Sequence, residues 1–293
     1  MSIRPVPRDG QLALARVNGI DVGHWNPLRR TGRWGGAARW RRPVGNFGDL
    51  LGPLIVDSLV RLWSLPTAPA ARRLLTVGSI MHFGRIGDVV WGSGVNPKAP
   101  VDDVVAAGLD IRCVRGPRSR EAVGTSATAV GDPAMLLGLL RPELTVPARQ
   151  RRGTVVVPNL NDLGALTDHR DVVNPRWPLR RVLARIASAE LVVGSSLHGV
   201  IVAEALGVPA RAVPSPAEGV FKYEDHYLAT GRDPADCLAS TTEEAASLGA
   251  APAPVWDPRP LLATFPLDLW VGGRRSPEPQ QVEHIAGAWT ASS

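Results

Sequence analysis

The apolar positions along the chain predict helices that alternate with short buried strands. Over residues 50–62 they recur at spacings of one, three and four, which predicts a helix with one buried face. Pro53 fits its first turn, because the first N–H groups of a helix have no internal partner. Short apolar runs follow at 74–77, 89–91, 111–115, 154–157, 191–193 and 210–213. Such continuous runs are typical of parallel strands covered on both faces.

Strands in alternation with helices predict an α/β fold. The run Leu12–Val17 indicates one further strand near the start of the chain. A stretch rich in proline and arginine at 141–152 separates two series of strands. We therefore predict two Rossmann-like domains that face a cleft, residues 1–145 and 146–293. Residues after 274 are polar and are compatible with disorder or with a final helix.

The composition is that of a globular protein in a reducing compartment. Hydrophobic residues make up 44% and charged residues 20% of the chain. The two cysteines, Cys113 and Cys237, lie far apart and fit neither a metal site nor a disulfide framework. The first 16 residues contain no apolar run of a signal peptide, and no stretch approaches the ~20 apolar residues of a membrane span. We expect a cytoplasmic protein with, at most, peripheral membrane contact.

The chain is basic, with a formal net charge of +6. This excess reflects either a free use of arginine or an anionic partner, such as a phosphorylated substrate, a glycan or a membrane surface. The segment from His24 to Arg42 contains three tryptophans among six arginines. That mixture suits lipid headgroups or sugars, and equally a surface loop with locally packed tryptophans. No motif supports nucleic-acid binding, so we expect no nucleic-acid partner.

The strongest candidate site follows the apolar strand at 191–193. Gly194 ends the strand, and Ser195 or Ser196 is suited to cap the helix that begins there. A helix N-terminus binds phosphate or carboxylate through its free N–H groups. His198, in the first turn, would donate a hydrogen bond to such an anion or move a proton. The alternative is a capping histidine without a ligand.

A second group of candidate residues comes from three other segments. Arg115 ends a predicted strand, and its planar guanidinium suits a carboxylate or phosphate. Asn46 and Asp49 flank a turn before a helix, where Asp49 is either an N-cap or an acceptor of a sugar proton. The segment 218–227 supplies a lysine, acids and aromatic residues that suit sugar hydroxyls, although a plain surface segment is the alternative. The chain contains no Walker loop, no GxGxxG fingerprint, no GxSxG elbow and no metal-ligand spacing.

Seven short motifs follow one another along the chain: Asn46-Phe47-Gly48-Asp49, Gly78-Ser79-Ile80, Trp91-Gly92-Ser93-Gly94, Val114-Arg115-Gly116-Pro117, Gly131-Asp132-Pro133-Ala134, Ser196-Leu197-His198-Gly199 and Phe221-Lys222-Tyr223. Taken in order, they resemble the polysaccharide pyruvyl transferase family, and within it the bacterial branch that acts on exopolysaccharides such as succinoglycan. Each is short, so their shared order over residues 45–232 makes the likeness specific.

The resemblance implies a fold similar to GT-B glycosyltransferases, with phosphoenolpyruvate as donor and without a metal or other cofactor. The acceptor would be a glycan or a lipid-linked oligosaccharide at the inner face of the membrane, bound on the N-terminal side, with phosphoenolpyruvate on the C-terminal side. The pyruvyl group would form a cyclic ketal with two sugar hydroxyls, and phosphate would leave. Many relatives carry arginine where this chain has Ser196, and Arg118 or Lys222 could supply the missing charge.

These considerations assign roles to particular residues. The expected phosphoenolpyruvate-binding residues are Arg115, Ser195, Ser196, Leu197, His198 and Lys222. The expected acceptor-binding residues are Asn46, Asp49 and Trp91, and the candidate catalytic groups are His198, Asp49, Glu218 and Asp225.

Two alternatives remain open from the sequence. A nucleotide-sugar glycosyltransferase of GT-B type would share the architecture, with Glu204 as the acid that binds the ribose. A non-catalytic binder of anionic glycans would use the basic segment from His24 to Arg42 instead.

Overall fold

The computed structural model describes residues 2–4, 12–30, 41–165 and 171–290. The strands are β1 (Ser2–Arg4), β2 (Leu12–Val17), β3 (Ile20–Trp25), β4 (Leu28–Arg30), β5 (Arg41–Pro43), β6 (Arg73–Leu75), β7 (Val89–Ser93), β8 (Asp110–Val114), β9 (Thr154–Val156), β10 (Leu191–Gly194) and β11 (Ala210–Ala212). The α-helices are α1 (Leu51–Leu62), α2 (Asp103–Gly108), α3 (Pro117–Ala122), α4 (Leu137–Leu140), α5 (Leu179–Ala187), α6 (Leu197–Ala205), α7 (Phe221–Ala229), α8 (Pro234–Cys237), α9 (Thr242–Leu248), α10 (Pro258–Ala263) and α11 (Pro279–Thr290).

The first sheet is mixed and has the strand order β1-β2-β3-β6-β7-β8. The predicted strand at 12–17 is present, but it pairs antiparallel with β3 across a two-residue turn. Its side chains alternate between buried and half-buried, as expected of a strand with one face on the core. From β3 onward the strands are parallel, so β3, β6, β7 and β8 end at the same edge.

The second sheet is parallel, with the order β11-β10-β9. Isolated bridges from Val156 to Val172 and from Ala212 to Leu238 extend it on both sides. The chain therefore moves to one side of β9 at residue 172 and to the other side at β10. In open α/β sheets, ligands bind outside the carboxyl ends of strands at such a change of direction. Here that point lies between the segments after β9 and after β10.

The α/β class is confirmed, and the predicted helices and strands appear within a few residues of their expected limits. The polar residues after 274 contain α11, which matches one of the two alternatives for this segment. The last helices return to the first sheet: Phe265 packs edge-on against Trp91, with ring centroids 5.1 Å apart, and Asp268 accepts a hydrogen bond from Arg112 at 3.0 Å. The boundary near residue 145, the two Rossmann-like domains and the GT-B similarity stay predictions.

Candidate functional site

A cavity of about 310 Å³ lies between the carboxyl ends of the two sheets. This volume is at the lower end of the range of small-molecule sites, ~300–1,000 Å³. The end of β3 and residues that follow β5, β6, β7 and β8 form one wall, and residues that follow β9, β10 and β11 form the other. Eight of the predicted site residues line it: Asn46, Asp49, Arg115, Ser196, Leu197, His198, Glu218 and Lys222.

Arg115 is buried and fixed in its orientation by two hydrogen bonds. Its Nε donates to Asp225 Oδ2 at 3.0 Å, and its Nη1 donates to Ser79 Oγ at 2.8 Å. Its Nη2 is buried and has no partner. A Cβ at Gly94 would lie 2.3 Å from the guanidinium carbon, so this glycine provides the space for the side chain. The arginine therefore has a free donor within a cavity wall, and a buried donor without a partner is costly until a ligand satisfies it.

Asp225, a predicted catalytic base, does not line the cavity. It is fully buried, and its carboxylate accepts hydrogen bonds from Arg115, from the Ser119 backbone N–H at 2.9 Å and from Ser119 Oγ at 2.6 Å. A Cβ at Gly116 would lie 2.0 Å from the Asp225 carbonyl oxygen, so this glycine allows α7 to approach the strand end. With its oxygens occupied in this way, Asp225 is placed to position Arg115 rather than to deprotonate a sugar.

His198 lies in the first turn of α6, as the sequence predicts. Ser196 is the N-cap, and its Oγ accepts the Gly199 N–H at 3.1 Å. The imidazole packs over Gly48, where a Cβ would lie 2.3 Å from Nδ1, and its Nε2 is buried without a partner. Burial, together with the nearby charges of Arg115 and Lys222, lowers the pKa of His198 to about 3. The imidazole is therefore neutral near neutral pH.

Asp49 is a buried carboxyl within the 3₁₀ turn Phe47–Leu50. It does not cap the following helix; its Oδ2 accepts a hydrogen bond from Asn46 Nδ2 at 2.6 Å. Burial raises the pKa of Asp49 to about 7, against the opposing effects of the Asn46 hydrogen bond and the Lys222 charge. A carboxyl with this pKa can either give or take a proton near neutral pH.

Lys222 is the cation that faces the cavity from α7. Its Nζ lies 3.6 Å from Glu218 Oε2, and burial lowers the pKa of the amine to about 8. Glu218 also accepts a hydrogen bond from Asn161 Nδ2 at 2.8 Å. Arg118, the other predicted substitute for the missing arginine, is about half exposed and lies 3.6 Å from Glu224 instead. Of these two residues, the structure brings only Lys222 to the cavity.

Ser195 and Trp91 are not at the cavity surface. The Ser195 Oγ donates to Asp162 and accepts the Asn159 N–H at 3.0 Å, so it supports the loop after β9. Trp91 is fully buried against Phe265, and its Nε1 donates to the Leu261 carbonyl at 3.0 Å. Its expected contact with the acceptor is therefore corrected: an indole whose only polar group bonds to the core cannot contact a sugar in the cleft.

Sequence reasoning missed several lining residues, notably Trp25, His82, Asn159 and Arg176. Trp25 ends β3 and is half-buried at the cavity wall. Its place at the carboxyl end of a strand could have identified Trp25 as a site residue. The sequence pattern instead placed Trp25 with the basic segment that follows. Residues 31–40 of that segment lie outside the described residues.

Glu204, the proposed ribose-binding acid of a nucleotide-sugar enzyme, is buried behind the cavity. Its oxygens accept hydrogen bonds from Arg232 at 2.6 and 3.0 Å, and one of them lies 2.9 Å from His226 Nε2. The carboxylate is therefore occupied within the protein, and the residue does not line the cavity.

Within the described ranges, no group of three or more His, Cys, Asp or Glu side chains could hold a metal ion. In the same part of the chain, no helix is long and apolar enough to cross a membrane.

Comparison with known proteins gives two informative matches. A family model described as polysaccharide pyruvyl transferase matches residues 85–215, which include Arg115 and His198. The chain is also 29% identical over 229 residues to the succinoglycan biosynthesis protein ExoV of Rhizobium meliloti (strain 1021), a match that covers 72% of this chain and 70% of that protein.

A solved structure of the uncharacterized protein KP1_0663 from Klebsiella pneumoniae is also similar. It has a TM-score of 0.43 and 13% identity over 67% of this chain and 90% of that chain. This likeness is too weak to bear on fold or function.

Proposed function

We propose that this chain, which belongs to the polysaccharide pyruvyl transferase family, moves the pyruvyl group of phosphoenolpyruvate onto two hydroxyls of a sugar. The product is a cyclic ketal, and phosphate is released. The acceptor is a glycan of a cell-surface or extracellular polysaccharide, or its lipid-linked precursor. The observation that carries the proposal is the pair of buried side-chain nitrogens without partners, Arg115 Nη2 and His198 Nε2, in two residues that line one cavity.

The cavity suits a ligand with two anionic groups. Arg115 offers a fixed donor, Lys222 offers an ammonium, and the first turn of α6 offers N–H groups ahead of its first internal bond, from Val200 to Ser196. Phosphoenolpyruvate carries a carboxylate and a phosphate on one small frame, so it matches this arrangement. Lys222 takes the role for which many relatives use an arginine at the position of Ser196.

The chemistry needs one acid and a base for two hydroxyls. Protonation of C3 makes C2 electrophilic, the first sugar hydroxyl adds to C2, phosphate leaves, and the second hydroxyl closes the ketal. Asp49, with its raised pKa, suits both proton donation to C3 and acceptance of a hydroxyl proton. Glu218 is the other carboxylate at the cavity. His198 is neutral near neutral pH, because its pKa is lowered, and a neutral imidazole can donate one hydrogen bond to the phosphate.

Trp25 replaces Trp91 as the expected aromatic contact of the acceptor. It is the last residue of β3, which lies three strands from β8, so its backbone is about 14 Å from that of Arg115. That separation leaves room for the donor at Arg115 and a pyranose ring against the indole. The acceptor therefore occupies the side of the first sheet, with Asn46 beside it.

We further propose that the protein works in the cytoplasm, peripherally at the inner face of the membrane, where a lipid-linked acceptor is accessible. No metal or other cofactor is needed in this scheme, because the anions are neutralised by side chains and N–H groups.

The proposal is tested by thermal melting with phosphoenolpyruvate, followed by assay of phosphate release with candidate acceptors. Ligand at ~100 times its dissociation constant stabilises the folded state by about 2.7 kcal/mol. We expect this shift in the wild type and its loss in Arg115→Ala and His198→Ala. A shift with UDP or GDP but none with phosphoenolpyruvate would overturn the proposal in favour of a nucleotide-sugar glycosyltransferase.

A further inference from the structure

Helix α5 presents an arginine-rich surface to solvent beside the cavity mouth. Its apolar side chains, Val182, Leu183 and Ile186, are buried in the core. Its three arginines are on the opposite side and exposed. Residues 172–189 contain no Asp or Glu. The exposed side of the helix is therefore uniformly positive.

Neighbouring segments enlarge this surface. The Arg152 backbone N–H donates to the Ser188 carbonyl at 2.8 Å, which joins a second basic segment to the end of α5. At the start of the helix, the Arg181 guanidinium stacks 3.8 Å from the ring centroid of Trp177, which precedes α5. We define the arginine face as Arg149, Arg152, Arg176, Trp177, Arg180, Arg181 and Arg185. Within the described ranges, none of its six arginines forms an ion pair.

The arginine face adjoins the cavity directly. Arg176 is exposed and also lines the cavity. The Pro175 carbonyl accepts the Phe47 N–H at 2.9 Å, which fixes the segment before α5 against the turn that carries Asp49. A partner bound on this face would therefore lie next to the cavity mouth.

We propose that the arginine face docks on an anionic phospholipid surface and holds the cavity mouth against it. Charge complementarity carries this assignment, because basic residues near an anionic leaflet are attracted to it over about a Debye length. The apolar side of α5 is already buried in the protein, so the contact is electrostatic and does not include insertion. Arg181 covers one face of the half-buried Trp177 ring, which reduces the surface left for stacking on a base or a sugar and favours headgroups over nucleic acid or glycan.

The inference extends the membrane location given under the proposed function, but its test does not depend on catalysis. The full chain is sedimented with vesicles of pure phosphatidylcholine and with vesicles that contain about one-third phosphatidylglycerol. The test variant is Arg180→Glu/Arg185→Glu. The matched control is Arg61→Glu/Arg274→Glu, at exposed arginines near the amino ends of the parallel strands. Each variant lowers the formal net charge from +6 to +2, because each Arg→Glu exchange removes two charges.

We expect binding to the anionic vesicles only, with loss near 1 M salt, where the Debye length is about 3 Å. The test variant should bind at least ~25-fold more weakly, since each basic residue contributes about fivefold. The control should bind within a few-fold of the wild type, and both variants should melt near the wild-type temperature. Equal losses in the two variants, or wild-type binding to heparin or duplex DNA but not to vesicles, would overturn the proposal.

An activity assay tests the proposed function separately from vesicle binding. With a short soluble acceptor and phosphoenolpyruvate, the test variant should release phosphate as fast as the wild type. Vesicle binding without any pyruvyl transfer would leave the docking inference standing and remove the proposed function. Pyruvyl transfer without vesicle binding would support the proposed function and overturn the docking inference.

Discussion

Arg115 and Asp225 form a buried ion pair, 110 residues apart in sequence, with the guanidinium Nε 3.0 Å from the carboxylate. The pair joins the end of β8 to α7, the helix that also carries Lys222. It leaves Arg115 Nη2 directed to no protein group. Asp225 thus sets the direction of the only guanidinium nitrogen that is left for a ligand.

Asp225→Asn should therefore weaken phosphoenolpyruvate binding as well as the fold. Removal of one partner from a buried ion pair costs about 3–5 kcal/mol. The control is Asp268→Asn, which breaks the Arg112–Asp268 pair away from the cavity. Both variants should melt at lower temperature, but only Asp225→Asn should raise the KM for phosphoenolpyruvate. An unchanged KM in Asp225→Asn would reduce its role to stability alone.

The sequence could predict those parts of the site that depend on local structure. Arg115, Ser196 and His198 each stand at the carboxyl end of a strand, and the apolar run before them marks that position. Parallel strands bring such ends to one edge of their own sheet, where ligands bind in α/β folds. Arg115 follows β8 of the first sheet and His198 follows β10 of the second, so their shared cavity depends on how the two sheets pack. Asp49 was predicted from a different local signal, as a polar residue in a turn before an amphipathic helix, where an N-cap was the alternative.

The remaining features depend on packing between distant segments. Trp91 has the same local signal as a ligand-binding residue, but the return of Phe265 from the C-terminal helices buries it. The pairing of Asp225 with Arg115 depends on where α7 packs. Gly116 leaves room for this close approach, and only the three-dimensional structure shows that the room is needed. No spacing in the sequence encodes either contact.

Lys222 should determine the alkaline limit of the reaction. Burial lowers the pKa of its amine to about 8, so the ammonium charge is lost as the pH rises through that value. Because kcat/KM reports the free enzyme, kcat/KM for phosphoenolpyruvate should fall above about pH 8. Lys222→Arg should keep the activity and lose this limb. Lys222→Gln should be roughly 10–100-fold weaker than the wild type below about pH 8, as expected for loss of a charge-assisted bond, and this difference should shrink at higher pH. A limb that persists in Lys222→Gln would assign it to another group.

The buried carboxyl of Asp49 should lower the free energy of unfolding near neutral pH, although the reaction requires it. Its pKa is raised from 3.8 to about 7, so between these values the folded state holds a proton that the unfolded state releases. Stability therefore falls as the pH rises through this window, by up to about 4 kcal/mol. Asp49→Asn should be inactive, and its gain in free energy of unfolding over the wild type should be larger at pH 8 than at pH 4.

Asn46→Ala offers a check on that interpretation. Loss of the Asn46 hydrogen bond removes an influence that lowers the pKa of Asp49. The upper end of the pH window of the stability change should then move upward, while its lower end stays at the unfolded pKa. Urea unfolding at several pH values measures both effects, and a gain in Asp49→Asn that is independent of pH would contradict the assignment.

Substitutions at Trp25 and Trp91 should change different properties: acceptor binding for Trp25 and stability for Trp91. Trp25→Ala removes a half-buried side chain from the cavity wall, so the KM for the acceptor should rise about tenfold while the KM for phosphoenolpyruvate stays unchanged. Trp91→Phe removes the hydrogen bond to the Leu261 carbonyl in the core and should lower the melting temperature without changing either KM. Steady-state kinetics at fixed donor and at fixed acceptor separate the two. If Trp91→Phe raised the acceptor KM and Trp25→Ala did not, the original assignment would be restored.

Gly48 should be required for the position of His198 rather than for the turn itself. A Cβ at residue 48 would lie 2.3 Å from the His198 Nδ1 and under 3 Å from two further atoms of that side chain. Gly48→Ala must therefore displace the imidazole from the cavity wall. We expect the melting shift with phosphoenolpyruvate to be lost, as in His198→Ala. Gly272→Ala, where no atom lies within 4 Å of the added Cβ, is the matched control and should keep the shift. A full shift in Gly48→Ala would mean that His198 does not contact the donor from its present position.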